Sequence, residues 1–250
     1  MNRRWGTPGL CAAMTALLLA VPGCKILPEE QPPERGFWLH YEKPAPADEL
    51  NARFLQDRHL AEFTLTDLNA YVELPHLVTV LAKSCHGEGS GYDPETHRIQ
   101  LCYDDLTEQR ELPAHDDEDL AEVVRETLYH EAGHALIDAL GLPDDGARAE
   151  EDAADRFAQV ALLLHDPEGD ETLLAAARAY DLLAAADPTP DPTDEHAPDA
   201  TRAQSHRCAV YGAFPARHKN LATPPRADCA ATWTQTRDTW TDDLAPLLRD

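Results

Sequence analysis

The sequence predicts an α+β fold in which a small N-terminal sheet is followed by a mainly helical C-terminal part. Three observations support this prediction. Short strand-like segments lie between residues 37 and 102, a helical apolar period runs through residues 119–140, and two Ala- and Leu-rich helical segments follow it. The predicted globular domain spans residues 37–250. It divides into an α+β part, residues 37–146, and a helical part, residues 147–250.

Residues 1–23 have the composition of an export signal. Two arginines precede an apolar stretch, residues 10–21, that is too short to span a bilayer. Gly23 then precedes Cys24, which resembles the lipobox of bacterial lipoproteins and makes Cys24 the predicted lipidation site. Pro22 is unusual at its position, so ordinary signal cleavage and a soluble exported protein remain the alternative. The polar, Pro-rich residues 24–36 are predicted to be a flexible tether.

The net charge of −25 argues against a nucleic-acid partner, because binding to phosphates needs a basic surface. No segment after the signal is apolar enough to span a membrane. We therefore expect an exported protein of the cell envelope, held on a bacterial membrane by its lipid anchor alone.

The elements before residue 105 follow from local patterns. Strands are predicted at residues 37–41, 76–82 and 98–102, with one or two helices between residues 48 and 69. Residues 87–94 contain three glycines and a proline and are predicted to be a turn-rich loop. His86, His97 and His115 fall in predicted loops and are expected to be solvated.

A helix of about 20 residues is predicted around residues 119–140. Apolar residues recur at three- and four-residue intervals through residues 120–136, as on one inward face. Asp119, Glu122 and Glu126 lie near its start, where the helix dipole favours negative charge. Gly141, followed two positions later by a proline, ends it.

Residues 130–134 read H-E-A-G-H, which fits the pattern H-E-x-x-H. On a helix, His130 and His134 emerge on one face and can bind one Zn²⁺ through their ring nitrogens. Glu131 can reach a water beside the metal, where the expected role is general base and not ligand. By chemistry and spacing, these residues predict a catalytic zinc site.

A catalytic zinc needs a third protein ligand, and the next predicted helix supplies one. Helices are predicted at residues 148–165 and 171–186. In the first of them, Glu151 and Asp155 form E-x-x-x-D on one face. Glu151 is the expected third ligand, with Glu150 as its rival, and Asp155 is expected to accept a hydrogen bond from the second nitrogen of a zinc-bound histidine.

H-E-x-G-H followed by E-E-D-A-A-D resembles the gluzincin group of zinc metallopeptidases. The chain is more closely similar to a family of exported bacterial metallopeptidases. This resemblance covers about residues 37–240 and includes, outside the metal motif, Cys85, Cys102, residues 194–196, Arg202, Cys208, residues 211–212 and residues 226–229. It implies a zincin-like fold and one catalytic zinc, and it names no substrate.

The resemblance also implies roles outside the metal motif. The strand at residues 98–102 would be a sheet edge, so that residues 99–103 and the loop at 87–94 form a wall for extended peptide. His196 would donate a hydrogen bond to the oxyanion, oriented by Asp194 or Glu195, with Tyr211 as a reserve donor. Arg202 is expected to make a structural ion pair, for which Glu195 is one candidate partner.

Four cysteines remain after the signal. An exported protein enters an oxidising compartment, and four cysteines allow three pairings. We predict Cys85–Cys102 and Cys208–Cys229, because each pair is local and flanks a turn-rich loop. Zinc binding by these cysteines is the alternative, although no C-x-x-C spacing occurs.

Taken together, the sequence predicts a zinc-dependent peptidase of the cell envelope that acts on peptide or protein substrates. The alternative is a non-catalytic, zinc-stabilised surface lipoprotein that serves as a binding module. The presence of Glu131 favours the enzyme, since a structural zinc site needs no general base.

Overall fold

The computed structural model describes residues 32–113, 116–143, 145–189 and 191–249. The predicted signal peptide, Cys24, most of the predicted tether and His115 lie outside these residues. Within the described ranges, no helix is long and apolar enough to cross a membrane.

A four-stranded mixed sheet forms the N-terminal part. Its strands are β1 (Gly36–Tyr41), β2 (Leu77–Lys83), β3 (Gly91–Asp93) and β4 (Arg98–Cys102). They lie in the order β1-β2-β4-β3, with β2 parallel to β1 and β4, and β3 antiparallel to β4. Alternate residues of β2 are fully buried, so that one face of this sheet packs on the core. The α+β prediction, with a small N-terminal sheet before the helices, is confirmed.

The prediction that the strand at 98–102 is the sheet edge is wrong. β4 pairs with β2 on one side and with β3 on the other. The edge is β3, inside the segment predicted to be a loop. Asp93 accepts hydrogen bonds from the Glu95 amide and the Thr96 hydroxyl, and this turn folds the chain back onto β4. Three residues are too few to show the alternation from which a strand is predicted.

Three helices connect and cover the strands: α1 (Glu49–Asp57), α2 (Leu60–Tyr71) and α3 (Asp105–Glu111). The predicted helical stretch is thus two helices, because His59 between them adopts a left-handed conformation with φ of 52°. α2 packs against β1 and against helix α4 (Asp117–Leu140).

Helix α4 (Asp117–Leu140) carries the H-E-x-x-H motif. Its start is capped by the Asp116 side chain, which accepts hydrogen bonds from two backbone amides of the first turn. Its end is Gly141, which is left-handed with φ of 61°, as predicted. The expectation of one inward face is wrong for the motif half of the helix. All residues from 128 to 137 are buried, because α4 lies between α2 and the sheet on one side and the following helices on the other.

The C-terminal part is helical, as predicted, with helices α5 (Ala147–His165), α6 (Gly169–Ala186), α7 (Asp199–Ala213) and α8 (Cys229–Leu244). Helix α5 approaches α4 very closely at Gly133. A Cβ atom on Gly133 would lie 2.9 Å from Ala154 Cα, so the glycine permits the contact. This approach places Glu151 and Asp155 of α5 beside the two histidines of α4.

Two disulfides have the predicted pairing, Cys85–Cys102 and Cys208–Cys229. The first joins the residues after β2 to the end of β4 and fixes the base of the loop that leads to β3. The second joins α7 to the start of α8. All four of these cysteines are therefore oxidised to disulfides and do not offer thiolates to a metal.

Candidate metal centre

Two histidines and one glutamate converge between α4 and α5. His130 Nε2 lies 3.2 Å from His134 Nε2 and 3.1 Å from Glu151 Oε2. His134 Nε2 lies 3.3 Å from Glu151 Oε1. The three residues are at most 12% exposed in their side chains. The structure thus brings together the three residues predicted as zinc ligands, with their donor atoms facing one another.

The outer nitrogens of both imidazoles contact carboxylates. His130 Nδ1 lies 2.9 Å from Asp155 Oδ1, and His134 Nδ1 lies 2.9 Å from Glu150 Oε1. A proton on each Nδ1 leaves the Nε2 lone pairs pointing at one another and at Glu151, which a cation would stabilise. Asp155 therefore occupies its predicted place. Glu150, the rival ligand, lies on the far side of the His134 ring.

Arg202 holds Asp155 from α7. Its guanidinium donates to both carboxylate oxygens, at 3.0 and 2.6 Å, and stacks over the Tyr180 ring at 4.3 Å. Burial raises the pKa of Asp155, but the charges of Arg202 and His130 outweigh this effect and hold the pKa well below its usual range. The predicted structural ion pair of Arg202 is present, and its partner is Asp155, not Glu195.

Glu131 is buried beside this cluster. It is 5% exposed, and its Oε2 has no hydrogen-bond partner within the described residues. Burial raises the pKa of Glu131, and the neighbouring histidines only partly oppose this effect. A carboxylate that is not committed to a structural hydrogen bond and whose pKa is raised has the properties of a general base.

A cavity of about 220 Å³ opens onto these groups. One wall is the turn-to-strand segment that ends in β3, and the other walls come from α4, α5 and the segment before α7. The cavity is lined by Ser90, Gly91, Tyr92, His130, Glu131, His134, Ala147, Glu150, Glu151, Glu195 and His196. The sheet edge and the proposed base therefore face the same space. Tyr211, the reserve oxyanion donor, is not among its lining residues.

His196 enters the cavity from the segment before α7. Its Nε2 lies 3.0 Å from Glu151 Oε2, while Asp194 Oδ1 accepts a hydrogen bond from the His196 amide and lies 3.3 Å from its Nδ1. Of the two predicted orienting residues, Asp194 has this place. The backbone carbonyl of Glu195 accepts a hydrogen bond from Arg148. The contact with Glu151 raises the pKa of His196.

A buried cluster of polar side chains, which the sequence pattern did not predict, lies behind the histidines. Glu126 is 1% exposed and accepts a hydrogen bond from His206 Nε2 at 3.0 Å and one from the Tyr180 hydroxyl at 3.3 Å. His206 Nδ1 in turn contacts Gln159 at 3.0 Å. In the sequence, Glu126 is one of three acidic residues near the start of the helix, where the helix dipole favours negative charge. The available signal was its position four residues before His130, on the same helical face as the motif.

The donor set fits a metal ion. Two imidazole nitrogens and a carboxylate converge, and Glu131 Oε2 beside them is buried without a hydrogen bond in the described part of the chain. A buried polar atom is rarely left without a partner, so this one indicates a group that binds there.

Comparison with known proteins agrees with this geometry. A model of the protein family described as "Putative metallopeptidase" matches residues 41–244. No curated protein and no solved structure matches the chain. A metallopeptidase family implies a metal ion and a peptide or protein substrate, and the family match includes every residue of the cluster.

Proposed function

The chain belongs to the family described as "Putative metallopeptidase", and from its site we propose that it is a zinc-dependent peptidase. His130, His134 and Glu151 hold one Zn²⁺, and Glu131 is the general base. The observation that carries the proposal is the convergence of three donor atoms beside a buried carboxylate without a hydrogen bond.

Zinc is favoured by the spacing and chemistry of the donors. Zinc bonds of about 2.0–2.1 Å in a tetrahedron place neighbouring ligand atoms about 3.3 Å apart. The two Nε2 atoms are 3.2 Å apart, and each lies near one oxygen of the Glu151 carboxylate: His130 Nε2 is 3.1 Å from Oε2, and His134 Nε2 is 3.3 Å from Oε1. Two imidazoles with one carboxylate leave one position open, as in catalytic zinc sites.

The reaction follows from the placement of the side chains. When bound, zinc supplies a Lewis acid that polarises the scissile carbonyl and lowers the pKa of a water. Glu131 accepts a proton from the attacking water and passes it to the leaving nitrogen. His196, oriented by Asp194, donates a hydrogen bond to the developing oxyanion. Asp155 and Glu150 keep each imidazole in the tautomer whose Nε2 faces inward.

Substrate binding along β3 is part of the proposal. β3 is one of the two edge strands of the sheet, and Gly91 and Tyr92 from this strand line the cavity. An extended peptide that adds to this edge would place its backbone beside Glu131. Of the substrate wall expected from the sequence, this arrangement keeps the segment at residues 87–94, which contains β3, and leaves out residues 99–103.

We further propose that the protein works in the cell envelope, anchored through a lipid on Cys24 after removal of residues 1–23, with residues 24–36 as the tether. The sequence pattern supports the anchor, and the two disulfides support an oxidising compartment.

The first experiment uses the exported chain from residue 25 onward. We expect one tightly bound zinc per chain, hydrolysis of members of a mixed peptide library, loss of hydrolysis in chelator and recovery when zinc is restored. If the chain binds zinc and needs it for stability but hydrolyses no peptide, the zinc-stabilised binding lipoprotein is indicated instead. A well-folded chain that binds no zinc would contradict both functions.

Replacing His196 by alanine tests the oxyanion role. We expect kcat to fall by about 10²- to 10³-fold, because a hydrogen bond made in the transition state is lost. Zinc content should stay near that of the wild type, and an exposed histidine, His40, provides the control substitution to alanine. If zinc affinity fell together with activity, His196 would be a ligand, as its distance of 3.0 Å from Glu151 also permits.

A further inference from the structure

A second group of potential metal ligands lies beside Tyr92 of β3, and its members are not among the residues that line the cavity. His76 precedes β2, His97 lies in the turn between β3 and β4, and Asp138 lies near the end of α4. One donor atom from each of these residues can be chosen so that all three lie within 4.8 Å of one another. They come from three chain segments, so their meeting is a product of the tertiary fold.

The two imidazoles of this group are in close contact. Their ring centroids are 3.9 Å apart with an interplanar angle of 29°. His76 Nε2 is shielded from solvent and has no hydrogen-bond partner within the described residues. His97 has a left-handed backbone with φ of 49°, which is uncommon for a residue other than glycine. The His97 side chain, expected from the sequence to be solvated, is 41% exposed, and it also contacts His76 and Asp138.

Asp138 supplies the carboxylate. Its Oδ2 lies 3.2 Å from His97 Nδ1 and accepts a hydrogen bond of 2.8 Å from the Tyr92 hydroxyl. The Tyr92 hydroxyl also lies 3.1 Å from His97 Nδ1. Tyr92 belongs to β3 and lines the catalytic cavity, while Asp138 lies one turn after His134 on α4.

Two other groups of potential ligands are already satisfied. Cys85 and Cys102 form a disulfide. Glu126, Asp155 and His206 are fully buried and hydrogen-bonded to one another or to Arg202 and Tyr180. In the His76 group, by contrast, a ring nitrogen is unpaired, and His97 and Asp138 are 41% and 34% exposed, which leaves a path for an ion.

We propose that His76, His97 and Asp138 form a second site for a transition-metal ion such as Zn²⁺, separate from the catalytic centre. Two imidazoles and one carboxylate suit zinc and its neighbours in the first transition row, whereas Mg²⁺ and Ca²⁺ prefer oxygen ligands. An ion held there connects the β3–β4 turn to α4. It thereby fixes the position of the sheet edge along which peptide is proposed to bind.

The proposal is tested by zinc titration of the metal-free full exported chain, followed by calorimetry and by the melting temperature. We expect two zinc equivalents per chain in the wild type, the second weaker because its ligands are more exposed. His97→Asn should lose the second equivalent and keep the first, since asparagine tolerates the left-handed backbone. The matched control is His86→Asn, because His86 is also left-handed, with φ of 60°, and lies outside the group.

Further variants separate this site from the catalytic one. Asp138→Ala should also lose the second equivalent, and the rise in melting temperature that accompanies this equivalent should disappear. Glu151→Gln should keep it, so a failure of the proposed enzyme would not remove the second site. A single equivalent in the wild type, or a second one that persists in both His97→Asn and Asp138→Ala, would overturn the proposal. Excess Mg²⁺ should not displace the second zinc.

Discussion

Replacement of Glu131 by glutamine is expected to leave zinc bound and to lower kcat for peptide hydrolysis by about 10²- to 10⁴-fold. Glutamine has the shape of glutamate but cannot accept a proton from the attacking water. Because Glu131 Oε2 has no hydrogen-bond partner among the described residues, the substitution breaks no protein contact at that atom, and the fold should be kept.

The expected loss is large because the Glu131 carboxylate is a stronger base than a carboxylate in water. Its side chain is buried, and burial raises its pKa. Glu151 also lines the cavity. Its carboxylate, however, already contacts His130, His134 and His196. It therefore cannot replace Glu131 as the base.

Kinetics and elemental analysis of the same preparation check this prediction. Glu118→Gln is the control, since Glu118 lies on the same helix with its side chain 81% exposed and should change neither quantity. Unchanged kcat in the Glu131 variant would remove the general base from the mechanism. Loss of zinc would show instead that Glu131 is a ligand.

The sequence was sufficient to predict those parts of the site that depend on local geometry. The four-residue spacing of His130 and His134 on a helix determines their common direction, and Gly141 determines where that helix ends. Glu151 could be proposed because E-x-x-x-D repeats the same period on the next helix. The choice between Glu151 and Glu150 depends on the rotation of α5 about its axis, which is set by tertiary packing that includes the close approach of α5 to Gly133.

Other parts depend on contacts between distant segments, and the sequence does not contain their signal. The pair Glu126–His206 joins residues 80 positions apart, and each residue alone has the pattern of a solvated polar side chain. The edge strand β3 exists because β4 is available to pair with it. His97 likewise belongs to a cluster whose other members lie before β2 and on α4. In all three cases, tertiary packing decided the outcome.

Replacing Glu151 by glutamine is expected to lower zinc affinity by more than about 100-fold, whereas Glu150→Gln should lower it by at most about 10- to 100-fold. The two glutamates are neighbours on α5, and both contact the His134 ring. They differ in the nitrogen they meet: Glu151 lies 3.3 Å from Nε2, inside the cluster, and Glu150 lies 2.9 Å from Nδ1, outside it. A ligand is lost in the first variant and an orienting contact in the second.

Competition with a chromophoric chelator measures both affinities under one condition. The exposure of the two side chains strengthens the expected difference, because Glu150 is 42% exposed and water can replace its contact, while Glu151 is 12% exposed. Glu151→Gln also removes the negative charge that balances the two imidazoles, so even the amide oxygen of glutamine is a poor substitute. If Glu150→Gln caused the larger loss, α5 would have to rotate when zinc binds, and Glu150 would be the third ligand.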